Sequence, residues 1–316
     1  MNGIITLDDF KTTYEPDLQP ADLSVTFKTE NQQLKLAADA GDAEGELLKL
    51  RGEFPFLPRA WADQMSVPGD SPILLQASNQ GLDLRRIQKF VPTVEDMTGD
   101  LKLDLSLSGT IDEPSLEGDI KVSNFRTSLQ PRLPGFDLTL DLETVGERLK
   151  ISAKAMDGER KALTLDGTVP ALVEAWRNEV GPGIDQAIDI TATIPSFNLK
   201  RVQPLVPVIK FIDGDIRVDA VVSGSIKDPS VTANARMTLD RMRLTESPIT
   251  DFRDCVFEVE MKDKIVSVKE SSIVASGGTA KIRGTVDLNG DEPFFDIGLN
   301  GNFILLYRTA DFTFRG

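Results

Sequence analysis

The residues of this chain whose type and spacing first suggest chemistry are paired carboxylates and a single thiol. Three pairs of neighbouring acids stand out: Asp8/Asp9, Asp112/Glu113 and Asp213/Asp215. Paired carboxylates are the groups that general acid–base catalysis and cation binding use. Cys255 is the sole cysteine, and the sequence has no histidine. Nucleophile pairs with histidine, an internal disulfide and a cysteine-based zinc site are therefore excluded.

The positions of these groups argue against catalysis. All three acidic pairs fall in or beside predicted turns, where clustered charge is typical of solvated loops. The segment DLNGDE from Asp287 has its glycine at the fourth position, whereas a calcium loop needs it at the sixth. We predict a hairpin turn there. Cys255 is in step with Phe257 on an apolar strand face, which predicts a buried thiol. We expect no enzyme activity, no metal and no cofactor.

The net charge of the chain argues against two classes of binding partner, nucleic acids and anionic membrane surfaces. The 35 Lys and Arg residues face 50 Asp and Glu residues, which gives a formal net charge of −15. Phosphate binding needs concentrated basic residues, so nucleic acid is not an expected partner. The same charge disfavours docking flat on an anionic membrane. No apolar run is long enough for a membrane-spanning helix, and the N-terminus lacks the zones of a signal peptide.

A repeat of 115 residues organises the sequence. The stretches GTIDEPSLEG from Gly109 and GSIKDPSVTA from Gly224 share one pattern, and LRRIQKFVP from Leu84 matches LKRVQPLVP from Leu199 at the same offset. Agreement of many positions at one fixed offset is the signature of a repeat architecture. We predict a partial first copy over residues 1–72, a second over 73–187, and a third with the start of a next segment over 188–316.

Alternation of apolar and polar residues dominates each copy. It predicts strands with one apolar face, which is typical of antiparallel sheets. We expect about seven strands in each copy. The alternating segments are Leu101–Leu107, Leu138–Leu142, Ile188–Ile194, Ile216–Val222 and Cys255–Met261.

Glycine, proline and short amphipathic segments mark the connections between strands. Gly109 with Pro114, and Gly224 with Pro229, predict a fixed corner between two strands. The LRRIQKFVP and LKRVQPLVP segments predict about one helical turn each. Residues Ala171–Val180 predict a brief amphipathic helix, either a cap on the sheet or a gate over what the sheet encloses.

Four segments carry a family resemblance over essentially the whole chain. They are SGTIDEPSLEG from Ser108, SGSIKDPSVTA from Ser223, ASGGTAKIRGTV from Ala275 and LLYRTADFTFRG from Leu305. The chain resembles the TamB family of the AsmA-like group, the inner-membrane components of the bacterial translocation and assembly module. The resemblance implies an all-β fold: an elongated repeat of antiparallel strands curled into a U-shaped apolar groove, with short helical connectors.

The same resemblance implies a location and partners. It places the protein in the periplasm of a Gram-negative cell, with the full-length protein anchored in the inner membrane. The implied roles are phospholipid transport between the two membranes, outer-membrane protein assembly with a TamA-like barrel partner, or both. We expect the chain to be an internal fragment, so that membrane contact is made through missing termini.

The residues support a groove independently, because a one-faced sheet must bury its apolar face. Exposing acyl carbons to water costs about 0.8 kcal/mol per methylene, so an apolar lane suits lipid tails. Two other interpretations remain: a rod whose apolar faces close without a ligand, and a scaffold that pairs client β-strands through its sheet edge. The residues that we predict to line the groove are Leu103, Leu105, Leu138, Leu140, Leu142, Ile190, Ile216, Val218, Phe257 and Val259.

Overall fold

The fold is all-β and antiparallel, as the sequence predicts. The computed structural model describes residues 2–10, 21–56, 68–86, 97–126, 135–171, 186–201, 203, 206, 208–245, 251–275, 277–290, 292–302, 305–308 and 313–315. Over these ranges the chain forms twenty β-strands and two 3₁₀ turns, without an α-helix. Packing divides the chain into two compact units. The units are defined by contacts, so the repeat boundaries after residues 72 and 187 stay predictions.

Unit 1 comprises Met1–Ser128, Pro134–Ala153 and Thr168–Gly183. Its strands pair antiparallel with their neighbours in chain order, except that β5 and β6 both pair with β7. The first 3₁₀ turn, Leu84–Arg86, follows β6. The strands are β1 Asn2–Phe10, β2 Ala21–Glu30, β3 Gln33–Asp42, β4 Gly45–Pro55, β5 Leu74–Ser78, β6 Leu82–Asp83, β7 Thr98–Gly109, β8 Pro114–Arg126 and β9 Phe136–Val145.

Unit 2 comprises Leu129–Leu133, Lys154–Gly167 and Ile184–Gly316. Strands β12 to β18 pair antiparallel in chain order, and β19 pairs with β20 in a separate two-stranded sheet. The second 3₁₀ turn, Leu199–Arg201, follows β12. The strands are β12 Ala187–Asn198, β13 Ile209–Ser225, β14 Pro229–Leu244, β15 Asp251–Lys262, β16 Ile265–Ala275, β17 Gly278–Asp287, β18 Phe294–Asn302, β19 Leu305–Arg308 and β20 Thr313–Arg315.

Two further strands, β10 Arg148–Asp157 and β11 Arg160–Pro170, contribute residues to both units. Both 3₁₀ turns fall where the LRRIQKFVP and LKRVQPLVP segments predict a helical turn. The predicted helix Ala171–Val180 lies outside the described residues, except for Ala171, which is buried directly after β11.

The GTIDEP motif forms a tight hairpin loop between β7 and β8. Gly109 faces Pro114 across the end of the two strands. The Thr110 amide donates to the carbonyl oxygen of Glu113 at 3.3 Å, and the Glu113 amide donates to Thr110 Oγ1 at 3.1 Å. The hydroxyl of the motif therefore closes the loop, and the predicted corner is a β-hairpin.

The GSIKDP motif forms the same loop between β13 and β14. Gly224 faces Pro229. The Ser225 amide donates to the carbonyl oxygen of Asp228 at 3.4 Å, and the Asp228 amide donates to Ser225 Oγ at 3.1 Å. The sequence repeat is thus a repeat of hydrogen bonding as well as of residue type.

The glycine of this loop is expected to tolerate no side chain. Gly109 has a φ of +100°, and a Cβ there would lie 2.4 Å from the carbonyl oxygen of Glu113. We expect Gly109→Asn to lower the free energy of unfolding by about 1–3 kcal/mol. The matched control is Gly146→Asn, because Gly146 has a φ of +61° with nothing within 4 Å, a conformation that asparagine adopts readily. Urea unfolding followed by circular dichroism measures both, and equal losses would contradict the prediction.

Two-residue turns show how many strands one copy contains. Asn31 and Gln32 connect β2 to β3 with φ values of 51° and 61°, and Asp263 and Lys264 connect β15 to β16 with 49° and 64°. Left-handed pairs of this kind are type I′ hairpin turns. Gly146 occupies the matching turn after β9. From one of these turns to the next, the described residues form six strands, first β3 to β9 and then β10 to β15, if β5 and β6 count as one interrupted strand. About seven strands for each copy were predicted.

Candidate functional site

The sheet of unit 1 carries an unbroken row of apolar residues across eight strands. Cross-strand pairing gives the order of the row, and every member is directly opposite the next. Because side chains alternate between the two faces of a strand, all members share one face. The row is Ile5/Val25/Ala38/Leu50/Ala77/Leu105/Gly118/Leu142. We call the face that carries it the apolar face of unit 1.

The five groove residues predicted from the first half of the chain all lie on this face. Leu105 and Leu142 belong to the eight-strand row. Leu103 and Leu140 lie opposite Ile120 on β8, and Leu138 lies opposite Val122. All of these side chains are half-buried. Pairing register, rather than sequence distance, brings residues of β7 and β9 together.

Unit 2 has an equivalent apolar face. A row crosses all seven strands from β12 to β18 without a polar residue. A second such row crosses the same strands two residues further along each strand, on the same face. The rows are Ile194/Val218/Ala235/Val259/Val268/Gly284/Ile297 and Ala192/Ala220/Ala233/Met261/Val266/Val286/Phe295. The pattern therefore recurs in a sheet of different sequence.

The five groove residues predicted from the second half lie on this apolar face too. Val218 and Val259 are in the first row. Ile216 and Phe257 lie on either side of Met237 in the next row, and Ile190 lies opposite Val222. The five are half-buried. Their accessibility is intermediate, so each retains apolar surface that a ligand could cover.

The opposite face of each sheet is polar. In unit 2, Arg217 lies opposite Arg236, which forms an ion pair with Glu258. Lys269 pairs with Glu260, and the hydrogen bond from its ammonium holds the pKa of Glu260 below the usual value. In unit 1 the matching rows are Lys102/Lys121/Thr139, Asp104/Asp119/Asp141 and Ser106/Glu117/Glu143. Charged and polar side chains thus cover one face of each sheet, and apolar side chains cover the other.

The apolar face of unit 2 is closed at the end that lies next to the second 3₁₀ turn. Leu199 from the turn, Ile212 from β13, Leu239 from β14 and Cys255 from β15 form one buried cluster. Leu239 and Cys255 are only 2% and 1% exposed. Ile216 on β13 packs against this cluster and is itself half-buried. The side chains of the apolar face are therefore buried at this end and half-buried further along the strands.

A buried ion pair holds this turn in place. Arg201 of the turn donates to the carboxylate of Asp157 through Nε at 3.0 Å and through a second guanidinium nitrogen. Side chains of both partners are nearly buried, at 8% and 13% exposure. Asp157 ends β10, 44 residues earlier in the chain. A charge pair that is removed from water tolerates the loss of either partner poorly.

Unit 1 has the same pair one repeat earlier. Arg86 of the first 3₁₀ turn donates to Asp42 through Nε at 2.9 Å and through a second nitrogen, and it also donates to the Gly45 carbonyl at 2.9 Å. Arg86 and Asp42 each lie 115 residues before Arg201 and Asp157, which is the offset of the sequence repeat. Leu84 of this turn is buried, as Leu199 is. The sequence predicts these two turns but not the acidic partners of Arg86 and Arg201.

The groups considered for catalysis have structural roles. Cys255 donates to the carbonyl oxygen of Arg253 at 3.3 Å, and burial raises the pKa of its thiol, which keeps it protonated. Asp287 opens the predicted hairpin turn between β17 and β18, and the Asn289 amide donates to it at 2.9 Å. Asp112 and Glu113 lie in the hairpin loop after β7, as predicted.

Two of the acidic pairs lie within strands: the predicted placement of Asp213/Asp215 in or beside a turn is wrong, whereas Asp8/Asp9 lie near the end of β1, next to residues outside the described ranges. Asp8 and Asp9 are part of β1, at an irregularity in its pairing with β2. Asp213 and Asp215 are part of β13, where Lys200 pairs with Asp213 at 2.9 Å and Ser196 Oγ donates to Asp215 at 3.1 Å. The start of the strand is hard to recognise in the sequence because Gly214 occupies the apolar-face position between Ile212 and Ile216 without a side chain.

Comparisons with known proteins do not place the chain in a family. No family model, curated protein or solved structure matches it. Among the residues that the structure describes, no cluster of three or more acids, cysteines or histidines could hold a metal ion, and no helix is long and apolar enough to cross a membrane. The geometry of the two apolar faces is therefore the evidence that bears on function.

Proposed function

We propose that the chain is a lipid-binding segment of a TamB-like protein, and that its apolar faces hold the acyl chains of phospholipids in transit. One observation carries this proposal: the unbroken cross-strand apolar rows that include Leu105 and Leu142 in unit 1 and Val218 and Val259 in unit 2. No charged or hydrogen-bonding side chain interrupts them. An acyl chain on such a surface exchanges one apolar contact for another as it moves.

The energetics favour a long apolar ligand. Each methylene that leaves water for an apolar surface gains about 0.8 kcal/mol, so a chain of about 16 carbons gains from every row it covers. The half-buried side chains of Leu140 and Val218 are not saturated with protein contacts. Contiguous exposed apolar surface on a soluble protein marks a binding site. The polar opposite face and the net charge of −15 keep the protein in water.

The resemblance to the TamB family supports the setting that we propose for this activity. In that setting the full-length protein is anchored in the inner membrane, crosses the periplasm and works with an outer-membrane barrel assembly protein of the TamA type. Lipid would then move along the chain between the two membranes. The protein is proposed to be a carrier without enzyme activity.

A strand-pairing scaffold is the second candidate, and β18 favours it. Phe294 and Phe295 on this strand are 70% and 64% exposed. Strand β18 pairs antiparallel with β17, and all nine of its residues are exposed. An exposed apolar edge strand is a template for pairing with an extended segment of another protein. Client strands in outer-membrane protein assembly would be such segments.

Lipid extraction from the purified protein tests the proposal. The chain is purified in mild detergent, extracted with organic solvent and analysed by mass spectrometry, and we expect phospholipid in the extract. After delipidation it should take up a fluorescent fatty acid, whereas an extended apolar peptide of similar length should compete poorly. A delipidated protein that stays folded and monomeric but refuses the fatty acid would overturn the proposal. Tight binding of the peptide alone would favour the scaffold.

A further inference from the structure

Burial is graded along the apolar face of unit 2. The row formed by Gly214, Leu239 and Cys255 is buried. The next row, which holds Ile216 and Phe257, is half-buried, and the rows beyond it stay half-buried in β13 to β15. Composition does not explain the gradient, because the rows are similarly apolar. Something other than the sheet covers the face at this end.

The second 3₁₀ turn supplies that cover. Leu199 packs into the buried cluster with Ile212, Leu239 and Cys255. The turn comes directly after β12, so the chain leaves the sheet at the level of these residues. Leu199 is 6% exposed, although it does not belong to a strand. A leucine outside the sheet that is this well buried lies over the sheet face.

The buried ion pair prevents the turn from swinging away. Arg201 is two residues after Leu199 and is bound to Asp157 at the end of β10. A single weak contact would let a three-residue turn fray, whereas a charge pair that uses two guanidinium nitrogens fixes both position and orientation. Arg86, Asp42 and Leu84 repeat the arrangement in unit 1. Because the same nearly buried pair occurs in both units, each turn is held at the same position relative to its sheet.

We infer that Leu199 is a floor residue, meaning that it closes one end of the apolar face of unit 2 to ligand, and that Leu84 does the same in unit 1. The Arg201–Asp157 and Arg86–Asp42 pairs are the positioning residues of the two floors. Resting on the proposed function, this inference confines acyl chains to the rows from Ile216 outward. Leu239 and Cys255 do not touch lipid. The floor therefore sets how much of each face a lipid can use.

The rate at which Cys255 is alkylated tests whether Leu199 covers this end of the apolar face, and the measurement needs no lipid. In the wild-type protein, alkylation of Cys255 by N-ethylmaleimide should be slow, because the thiol is 1% exposed. Leu199→Ala removes the cover and should raise the alkylation rate about tenfold or more, as protection falls to that of a locally open site. Leu199→Met should keep the wild-type rate. An unchanged rate in a folded Leu199→Ala protein would overturn the inference.

Two controls separate the floor from general destabilisation. Lys200→Ala alters the adjacent residue, whose ammonium pairs with Asp213 at the surface, and it should leave the rate unchanged. Leu105→Ala removes a half-buried side chain of unit 1 and lowers stability without touching the cluster. Circular dichroism and urea unfolding accompany each variant. An equal rise in Leu105→Ala and Leu199→Ala would assign the effect to global unfolding and overturn the inference.

Photolabelling tests the lipid part separately. A diazirine fatty acid is bound to the delipidated protein and irradiated, and labelled peptides are mapped by mass spectrometry. We expect labels at Val218 and Val259 but not at Leu239 in the wild-type protein, and labels that extend to Leu239 in Leu199→Ala. Labelling at Leu239 in the wild-type protein would overturn the floor. If no label is found anywhere while Cys255 responds as expected, the proposed lipid function fails and the floor stands.

Discussion

Asp157→Ala is expected to lower the free energy of unfolding by about 3–5 kcal/mol, because it leaves the nearly buried guanidinium of Arg201 without its carboxylate. Asp42→Ala should have a similar effect through Arg86. Urea unfolding followed by circular dichroism measures the loss. The matched control is Glu258→Ala, which breaks the exposed pair with Arg236 and should cost about 1 kcal/mol or less.

The double variant Asp157→Leu/Arg201→Met tells whether the charges themselves are needed for stability. Replacing a buried ion pair with apolar residues of similar volume is often neutral. We therefore expect the double variant to recover most of the stability that Asp157→Ala loses. A loss of less than about 1 kcal/mol in Asp157→Ala would mean that water reaches the pair, and the turn would then not be fixed by it.

Period-two alternation correctly predicted strands over the five alternating segments, because each sheet has one apolar and one polar face. The hairpin loops followed from glycine and proline at matched positions, such as Gly109 with Pro114. Alternation was hard to read beside Asp213, where Gly214 places no side chain on the apolar face between Ile212 and Ile216. It also miscounted the strands of one copy. Residues 79–81 interrupt the strand that β5 and β6 form together.

The ion pairs show what the sequence contained but did not reveal. Arg86 and Arg201 match at the repeat offset, and so do Asp42 and Asp157. A charge retained in both copies is a signal, since most surface charges differ between them. The two partners nevertheless lie 44 residues apart in the chain, and only the pairing of the strands between them brings them together. The same reason explains why the ten predicted groove residues could be assigned to one strand face, whereas the closed end of the apolar face of unit 2 could not be predicted.

Glutamate on the apolar face is expected to slow lipid transfer strongly, whereas glutamate on the polar face should not. Leu140 and Val218 lie in apolar rows of units 1 and 2. A carboxylate there must either lose its water or draw water into the path of the acyl chain, and both are unfavourable for an apolar ligand. We expect Leu140→Glu and Val218→Glu each to slow transfer of fluorescent phospholipid between donor and acceptor vesicles about tenfold or more, the factor that about 1.4 kcal/mol produces.

The neighbouring residues supply the controls, because adjacent positions in a strand point to opposite faces. Thr139→Glu places a carboxylate on the polar face opposite Lys121, and Arg217→Glu places one on the polar face opposite Arg236. Both variants should transfer lipid at nearly the wild-type rate, with circular dichroism confirming that all four proteins are folded. In a strand-pairing scaffold, activity depends on the backbone edge, so the face that is altered would not matter. Equal transfer by the apolar-face and polar-face variants would therefore exclude the apolar faces as the lipid path.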